Sequence, residues 1–410
     1  MNKKENAYSV SSIFLKLNQF LWRNSFFQKI RVVFYFIDGV MLLFCPLKKS
    51  RPINGSRKKV LIVYNMALGD GVMFYGPAQS IRQIWSKEQF EITIACQSAF
   101  ARLYESAGVY DRVLPLDFFG SVVNLRNRMK LFRQLRTEQY DIVIDPVGCE
   151  DCTTNVFVTR AVCGKKKIGV LDTALSVHQT PKWMRNKIYD EIIEINQKHI
   201  HLIRYYGLFF KKLGAESCSI KPAELPRKIL PFETPERFFI IFPVASMEIK
   251  KWPIERYAYI TQKIYEKTHM PLVVCGTEHD RKGIEDLLSR LSGVEIINYI
   301  GKTDIMQFIE LIGRASLVVS NDTSAYHIAV ARQVPTVMIC GGYTYHRYAK
   351  YDYAEAGCKN PVLINNKMKC FDCNNHCKYS GFEHFPCIEQ INQEEAWNVI
   401  NNLIESEGLM

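Results

Sequence analysis

From about residue 58 onward, short apolar runs alternate with longer stretches whose apolar positions repeat at helical spacing. The apolar runs are rich in Val, Ile and Leu, as expected of buried strands. The predicted strands are residues 60–64, 90–95, 112–116, 141–145, 238–242, 272–275, 317–320 and 336–340. The predicted helices are residues 73–85, 122–139, 254–267, 281–291, 305–314 and 325–332. This alternation predicts an α/β fold of parallel sheets covered by helices on both faces.

A proline-rich stretch interrupts the alternation at residues 221–236. Four prolines fall within this short polar segment, which is typical of a linker between domains. It separates two doubly wound, Rossmann-like domains at residues 58–220 and 237–410, in keeping with a length of 410 residues, too long for one core. Two such domains face each other across a cleft, and ligands of these sheets bind beyond the carboxyl ends of the strands.

The N-terminal 57 residues follow a different pattern, in which basic residues alternate with apolar and aromatic ones. Residues 1–60 contain twelve Lys and Arg but two acidic residues, a net charge of +10, which leaves +2 for the rest of the chain. The nearly neutral body gives no reason to expect a nucleic-acid partner. The apolar run at residues 32–47 is too short and too charged to span a membrane comfortably.

We predict that residues 1–57 form a basic amphipathic extension at the membrane interface, with apolar side chains in the headgroup boundary and Lys and Arg facing anionic lipid. The alternative is a helix that packs on the protein's own surface. A secretory signal is not expected, because Lys48, Lys49 and Arg51 follow the apolar run where small residues would be required.

The first candidate for chemistry is Asp70, which follows the first predicted strand within a glycine-containing turn at residues 66–71. Gly69 and Gly71 would let the backbone approach a ligand closely. A carboxylate at the mouth of the cleft can accept a proton from a substrate hydroxyl. The alternative is that Asp70 only caps the helix that follows.

Two loops of the second domain add further candidates. Lys250 and Lys251 follow the strand at residues 238–242 and could hold a phosphate; the alternative is a solvated basic loop. The strand at residues 317–320 leads into Asn321-Asp322-Thr323-Ser324 and then a helix with His327, whose first amides can bind a diphosphate. An ordinary helix cap above a core histidine is the alternative there. The chain contains neither G-x-G-x-x-G nor a Walker motif.

Thirteen cysteines are present, and nine of them are scattered singly, which favours a reducing compartment. The other four lie in a loop-like segment at residues 370–387 with C-x2-C-x3-C-x9-C spacing: Cys370, Cys373, Cys377 and Cys387. They could close a structural zinc site or form a cluster of reduced thiols. No catalytic role is expected, because a metal with four protein ligands has no open position.

Together these residues resemble glycosyltransferase family 9, the lipopolysaccharide heptosyltransferases and their relatives, from about residue 58 to about residue 391. The most specific motifs are Gly301-Lys302-Thr303, the run from Leu317 through Asp322 and Thr323 to His327, and Val334-Pro335. Ala67-Leu68-Gly69-Asp70, Lys250-Lys251-Trp252-Pro253 and the closing Pro386-Cys387-Ile388 also match.

The resemblance implies a GT-B fold and inverting transfer of a heptose or related sugar from a nucleotide-diphosphate donor to a lipid-linked or lipopolysaccharide-core glycan. It implies an acceptor-side domain at residues 58–220 and a nucleotide-sugar-binding domain at residues 237–410. Asp70 would be the catalytic base and Lys250 would contact the donor diphosphate. The other substrate-binding residues implied are Gly69, Ser246, Asp322, Thr323, Ser324 and His327. No cofactor is expected for catalysis, and the expected location is the cytoplasmic face of the inner membrane.

The chain departs from the family pattern around the donor. Ser324 stands where a glycine is usual, Gly341-Gly342-Tyr343-Thr344 replaces a Gly-Pro, and the loop with Glu248 lacks a glycine. These changes leave the donor sugar open. A membrane-anchored nucleotide-sugar or metal-binding protein without transfer activity is the alternative function, but it gives the Asp70, Lys250 and Asp322 loops no purpose. A nucleotide-sugar epimerase or dehydrogenase would need the missing dinucleotide motif.

Overall fold

The computed structural model describes residues 25–47, 57–118, 121, 124–148, 154–174, 180–373, 377, 379 and 385–410. These residues form two parallel sheets of six strands each, one in either half of the chain. The predicted α/β class and two-sheet organisation are therefore confirmed. Residues 213–238 between the two halves contain neither a helix nor a strand, and the bounds 221–236 of the linker stay a prediction.

The first sheet has the strand order β3-β2-β1-β4-β5-β6, with β1 paired in parallel to both β2 and β4. Its strands are β1 (Lys58–Tyr64), β2 (Phe90–Gln97), β3 (Arg112–Leu116), β4 (Gln139–Asp145), β5 (Cys163–Asp172) and β6 (Glu191–Ile195). The helices of this half are α1 (Ser25–Leu43), α2 (Leu68–Ala78), α3 (Ile81–Ile84), α4 (Ala101–Glu105), α5 (Leu125–Leu135), α6 (Thr154–Ala161), α7 (Lys182–Ile188) and α8 (Leu202–Lys212).

The second sheet has the order β12-β11-β10-β7-β8-β9, with β10 between β7 and β11. Its strands are β7 (Phe239–Phe242), β8 (Leu272–Val274), β9 (Ile296–Asn298), β10 (Leu317–Ser320), β11 (Thr336–Ile339) and β12 (Val362–Ile364). Its helices are α9 (Ile254–Thr268), α10 (Arg281–Leu288), α11 (Ile305–Gly313), α12 (Ser324–Ala331), α13 (Pro386–Glu389) and α14 (Gln393–Ser406).

The central strands are apolar along their length because both faces of each sheet are covered. Every residue from Val60 to Tyr64 in β1, and every residue of β7 and β10, is buried. The sequence did not predict β5, β6, β9 and β12. β5 opens with the polar run Cys-Gly-Lys-Lys-Lys, β6 has acidic residues at two of its five positions and lies at a sheet edge, and the other two are three residues long. These strands lack the continuous apolar run that identifies a buried strand.

The N-terminal helix α1 packs with one face against the first domain. Asp38, the one charge in its apolar run, is buried and forms a two-pronged ion pair with Arg128 of α5, with N–O distances of 2.5 and 2.6 Å. Tyr35 lies under the guanidinium of Arg160, 3.5 Å from the ring centroid. This face of α1 therefore packs on the protein's own surface, as the alternative to a membrane-interface helix predicts. Residues 1–24 and 48–56 of the predicted extension lie outside the described residues.

No helix in the described ranges is long and apolar enough to cross a membrane. The two domains contact each other through α2 and α12 and through polar pairs. Oδ2 of Asp172, at the end of β5, lies 3.3 Å from a guanidinium nitrogen of Arg347 in the second domain. Nδ1 of His201 and the hydroxyl of Tyr353 form a hydrogen bond of 2.9 Å. The carboxyl ends of β1, β7 and β10 are thus held near one another.

Candidate active site

Asp70 lies in the first turn of α2, whose first residue is Leu68. The predicted turn over residues 66–71 is wrong, because the helix begins directly after the loop that leaves β1. Asp70 is also not the N-cap: that position is Ala67, which makes no side-chain cap bond. The partly buried carboxylate therefore stands at the end of the sheet in the first helical turn, where it accepts a hydrogen bond from its own backbone amide.

Gly69 lies against the imidazole of His327, which comes from the second domain. A Cβ atom at position 69 would lie 2.7 Å from Cδ2 of His327, closer than real Cβ atoms approach other atoms. Gly71 similarly faces the Tyr104 hydroxyl. Because Gly69 has no side chain, the His327 ring of the second domain can pack against it. Contact between Gly69 and a ligand stays a prediction.

Asp322 is the centre of a polar cluster on the second domain. Its Oδ2 atom lies 3.0 Å from Nζ of Lys250 and accepts a hydrogen bond from the Tyr343 hydroxyl, while its Oδ1 atom lies 3.8 Å from Nε2 of His327. The Lys250 ammonium also lies over the Tyr343 ring, 5.6 Å from its centroid. Nδ1 of His327 bonds the Tyr351 hydroxyl at 2.8 Å. The Asp322 carboxylate thereby fixes the position of Lys250, which the sequence predicts to bind a phosphate.

The two carboxylates of the cleft have opposite electrostatic environments. Burial raises the pKa of Asp70; the positive charges of His327 and Lys250 oppose this, and the negative charge of Asp322 adds to it. Burial alone would also raise the pKa of Asp322, but Lys250, His327 and Tyr343 together hold it well below its usual range. Asp322 is therefore a permanent anion, whereas Asp70 has a carboxylate more basic than an ordinary aspartate.

Asn321, next to Asp322, joins the loops that follow β7 and β10. Its side-chain oxygen accepts bonds from the Tyr257 hydroxyl at 2.8 Å and from the Trp252 amide at 3.3 Å, and its nitrogen donates to the Pro243 carbonyl. Asn321 is fully buried, so each of these bonds is made away from water. The Lys250 loop is consequently held in register with the Asp322 loop.

The Cys-rich segment packs behind the loop that carries Tyr343. A Cβ atom at Gly341 would lie 2.9 Å from the Cys387 sulfur, and one at Gly342 would collide with the Phe371 ring. Cys370, Cys373, Cys377 and Cys387 are free thiols. Burial and the neighbouring thiols raise the pKa of Cys373 to about 11. The segment thus supports the loop that carries Tyr343, and zinc binding by its four thiols stays a prediction.

The remaining predicted site residues line the second-domain loops. Thr323 is the N-cap of α12 and its hydroxyl lies 3.0 Å from that of Ser320, while Ser324 is the first residue of the helix. Ser246 is exposed on the loop after β7. The structure therefore brings Gly69, Lys250, Asp322 and His327 together near Asp70, with Thr323 and Ser324 at the adjoining helix start. The substrate contacts of these residues stay predictions.

Three contributors were missed by the sequence reasoning: Asn321, Tyr343 and Tyr351. Asn321 carried a usable signal, because a polar residue directly after a buried strand lies at the carboxyl edge of the sheet. Tyr343 was noted as a departure from the family pattern, but its hydroxyl partner Asp322 is 21 residues away. No local pattern identifies Tyr351, since its role depends on where His327 falls in the folded protein.

Comparison with known proteins agrees with this geometry. The family model for glycosyltransferase family 9 (heptosyltransferase) matches residues 128–379. Lipooligosaccharide heptosyltransferase 2 of Haemophilus ducreyi is 23% identical over 293 residues, which cover 68% of this chain and 82% of that protein.

Two solved structures show the same fold. The glycosyl transferase family 9 from Veillonella parvula has a TM-score of 0.65 at 15% identity, covering 87% of this chain and all of that one (100%). E. coli heptosyltransferase WaaC with ADP-2-deoxy-2-fluoro heptose has a TM-score of 0.58 at 18% identity, covering 85% and 99%. The two sheets are those of a GT-B fold. The chain belongs to glycosyltransferase family 9 and is a glycosyltransferase that uses a nucleotide-sugar donor.

Proposed function

We propose that this enzyme transfers a heptose or closely related sugar from a nucleotide-diphosphate donor to a lipopolysaccharide-core or other lipid-linked glycan, with inversion at the anomeric carbon. One observation carries the proposal: Asp70 of the first domain faces Lys250, Asp322 and His327 of the second, near enough for their charges to change its pKa. The H. ducreyi relative is named as a lipooligosaccharide heptosyltransferase, and the WaaC structure contains an ADP-heptose analogue, which supports this donor and acceptor class.

In the proposed reaction Asp70 acts as the general base. Its carboxylate accepts the proton of an acceptor hydroxyl while that oxygen attacks the anomeric carbon of the donor. The bond from the anomeric carbon to the diphosphate breaks, and the nucleoside diphosphate leaves with the electron pair. A single displacement forms no covalent enzyme intermediate and inverts the anomeric centre. The raised pKa of Asp70 favours this role, because a stronger base accepts a proton more readily.

Lys250 and the start of α12 stabilise the leaving diphosphate. The Lys250 ammonium is held in place by Asp322, and the Thr323 side chain makes no cap bond to the first amides of α12. Those amides can therefore donate to phosphate oxygens, with the helix dipole adding to the attraction. Because side chains and amides supply both the base and the charge stabilisation, the proposed mechanism needs no cofactor.

We further propose that α1 lies on an anionic membrane surface, on the cytoplasmic side where nucleotide sugars are available. Its outward face carries an apolar stripe: Val33, Phe36, Val40, Leu43 and the adjoining Phe44, all more than half exposed. Their spacing places them on one side of the helix. Trp183 of α7 extends the stripe by stacking on Phe36, with ring centroids 6.2 Å apart, and the ammonium group of Lys187 lies 5.7 Å from the centroid of the Trp183 ring. Apolar side chains bordered by basic ones are typical of an interfacial surface.

A transfer assay across a donor panel tests the proposed function. ADP-, UDP-, GDP- and CMP-linked sugars are offered with a lipid-core acceptor, and product formation is measured together with the thermal shift caused by each donor. We expect transfer and stabilisation with an ADP-heptose. If donors stabilise the protein but no sugar is transferred to any of a series of acceptors of increasing core length, the proposal is contradicted and a binding protein is favoured.

A further inference from the structure

Three potential metal ligands converge between the two domains, away from Asp70. Nδ1 of His199, Nδ1 of His346 and Oδ2 of Asp372 all lie within 4.8 Å of one another. Oδ2 of Asp372 is 2.7 Å from each of the two imidazole nitrogens. Among the described residues, no other three His, Cys, Asp or Glu side chains lie close enough together to hold a metal ion.

The three residues come from distant parts of the chain. His199 lies in the loop between β6 and α8 of the first domain, whereas His346 follows β11 and Asp372 lies between Cys370 and Cys373. The backbones of His199 and Asp372 have φ values of 55° and 60°, in the left-handed region that residues with a side chain rarely adopt. The fold thus aims side chains from three segments at one point.

The carboxylate is pre-oriented for a third partner. The side chain of Asp372 is 7% exposed, and its Oδ1 atom accepts a bond from the His346 amide at 3.3 Å, so that Oδ2 faces both imidazoles. Supporting bonds of this kind orient the ligands of metal sites. The two imidazole rings lie edge to face, 4.5 Å apart, on the open side of the carboxylate.

The cluster opens onto a polar cavity of about 280 Å³. Besides His199 and His346, the residues that line the cavity include the basic Arg204 and Lys350 and the acidic Asp352. There is accordingly room beside the imidazoles for water molecules or for an anionic ligand. His199 is 59% exposed and can move outward, which matters because a tetrahedral site with ligand bonds near 2.0 Å needs about 3.3 Å between ligand atoms.

We propose that His199, His346 and Asp372 bind a divalent first-row transition-metal ion of the zinc class between the two domains. Two imidazoles and one carboxylate suit such ions, whereas calcium and magnesium take oxygen ligands. Three protein ligands leave at least one position for water or for an anion in the cavity. Because His199 belongs to the first domain and the other two to the second, the bound ion ties the domains together. The competing reading is a His–Asp–His hydrogen-bond cluster that binds no metal.

Cobalt and zinc titrations of the full-length, chelator-treated protein test the proposal. Calorimetry with Zn²⁺ should show about one equivalent bound per chain with wild-type protein. His199→Ala and His346→Ala should each weaken that affinity by about a hundredfold or more, since even outer partners of metal ligands change affinity about 10- to 100-fold. His279→Ala, at an exposed histidine of the second domain, is the matched control and should bind as wild type does.

The absorption spectrum of bound Co²⁺ distinguishes this site from metal binding by the nearby thiols. Co²⁺ bound to thiolates gives an intense ligand-to-metal charge-transfer band, whereas Co²⁺ on histidine and carboxylate gives the weaker visible bands alone. We expect the weaker bands, retained in a Cys370→Ser/Cys373→Ser variant and lost in His199→Ala. Metal uptake that depends on the cysteines and not on His199, or no saturable uptake at all, would overturn the proposal. Because His199 is exposed, we expect its replacement to leave the fold intact, and unchanged thermal unfolding of the metal-free protein verifies this.

Discussion

Two aspartates face the cleft from opposite sides, and the protein treats them differently. Asp322 is 5% exposed, and Lys250, Tyr343 and His327 surround its oxygens, so its pKa is held well below the usual range. Asp70 stands on the first turn of a helix, and burial raises its pKa. One carboxylate is a fixed anion that positions a lysine, and the other is a base with a stronger affinity for protons. The same residue type takes two roles because its surroundings differ.

Replacing the base should have the largest effect. Asp70→Asn is expected to lower the turnover number by about a hundredfold or more, the scale of losing a general base, while donor binding is kept. The folded state should be no less stable at pH 7. A carboxyl whose pKa is raised by folding destabilises the folded state once pH exceeds that pKa, and the amide removes this cost. Steady-state transfer assays and thermal melts measure the two quantities.

Asp286→Asn, at an exposed acidic residue of α10, is the matched control and should leave turnover unchanged. Full transfer activity in Asp70→Asn would remove Asp70 from the mechanism.

Breaking the fixed anion's pair should weaken nucleotide binding by a smaller factor. Lys250→Ala and Asp322→Ala are each expected to lower the affinity for free ADP by about 10- to 100-fold, the value of a charge-assisted hydrogen bond. His327→Ala should have less effect, since its Nε2 atom lies 3.8 Å from Asp322. Lys251→Ala is the control, because Lys251 pairs with the exposed Glu248 at 2.7 Å. Calorimetry that finds unchanged affinity in both the Lys250 and Asp322 variants would contradict the assignment.

The contact between the two sides can be tested at Gly69. Gly69→Ala places a Cβ atom 2.7 Å from the His327 ring, so we expect the free energy of unfolding to fall by about 1–3 kcal/mol. Adding His327→Ala should recover part of this loss, because the atom that is struck is gone. Denaturant unfolding of the two single variants and the double variant measures the coupling. Strictly additive changes would show that the two residues do not touch.

Substitutions in the apolar stripe on α1 are expected to have the smallest effect, because they should change membrane binding and not the transfer reaction. Phe36→Ser/Leu43→Ser should lower binding to anionic vesicles about tenfold or more, since each side chain loses apolar surface that the headgroup region would bury. Transfer to a short soluble acceptor should be unaffected. Ile229→Ser is the control, because Ile229 is an exposed apolar residue outside the stripe. Vesicle sedimentation that is unchanged by the double substitution, or indifferent to salt, would argue against this surface.

Substitution tests the stripe better than deletion does. Removing α1 would also remove Asp38 and leave the buried Arg128 without its carboxylate partner. An uncompensated buried charge destabilises a protein strongly. A truncated chain would therefore report on the stability of the first domain as well as on membrane binding.

The sequence predicted the central strands and the loops after them, because continuous apolar runs report burial on both faces of a parallel sheet. Asp70, Lys250 and Asp322 follow such runs, and all three come to the cleft. The start of α2 was predicted too late. Gly69 and Gly71 suggested a turn, but both stand in the helix, and they are glycines there because His327 and Tyr104 fill the space that their side chains would occupy. That reason lies in tertiary packing, which local propensity does not report.

The partners of Asp322 could not be predicted for a related reason. Tyr343 and Lys250 reach this carboxylate from two different loops, and only the order β7-β10-β11 in the sheet brings those loops together. Likewise, the Cys-rich segment suggested a metal site by its spacing, whereas the residue within it that meets two histidines is Asp372. Spacing along the chain reports neighbours within one segment, not those between segments.

The pH dependence of kcat/KM tests the difference between the two aspartates most directly, since it reports the pKa values of the free enzyme. Activity should fall as pH drops through the raised pKa of Asp70, because the protonated carboxyl is no base. Lys250→Ala removes a positive charge that lowers this pKa, so the acid limb should move to higher pH; Asp322→Asn removes a negative charge that raises it, so the limb should move to lower pH. Opposite shifts are the predicted result. Shifts in the same direction, or an acid limb that neither variant moves, would contradict the assignment of Asp70 as the base.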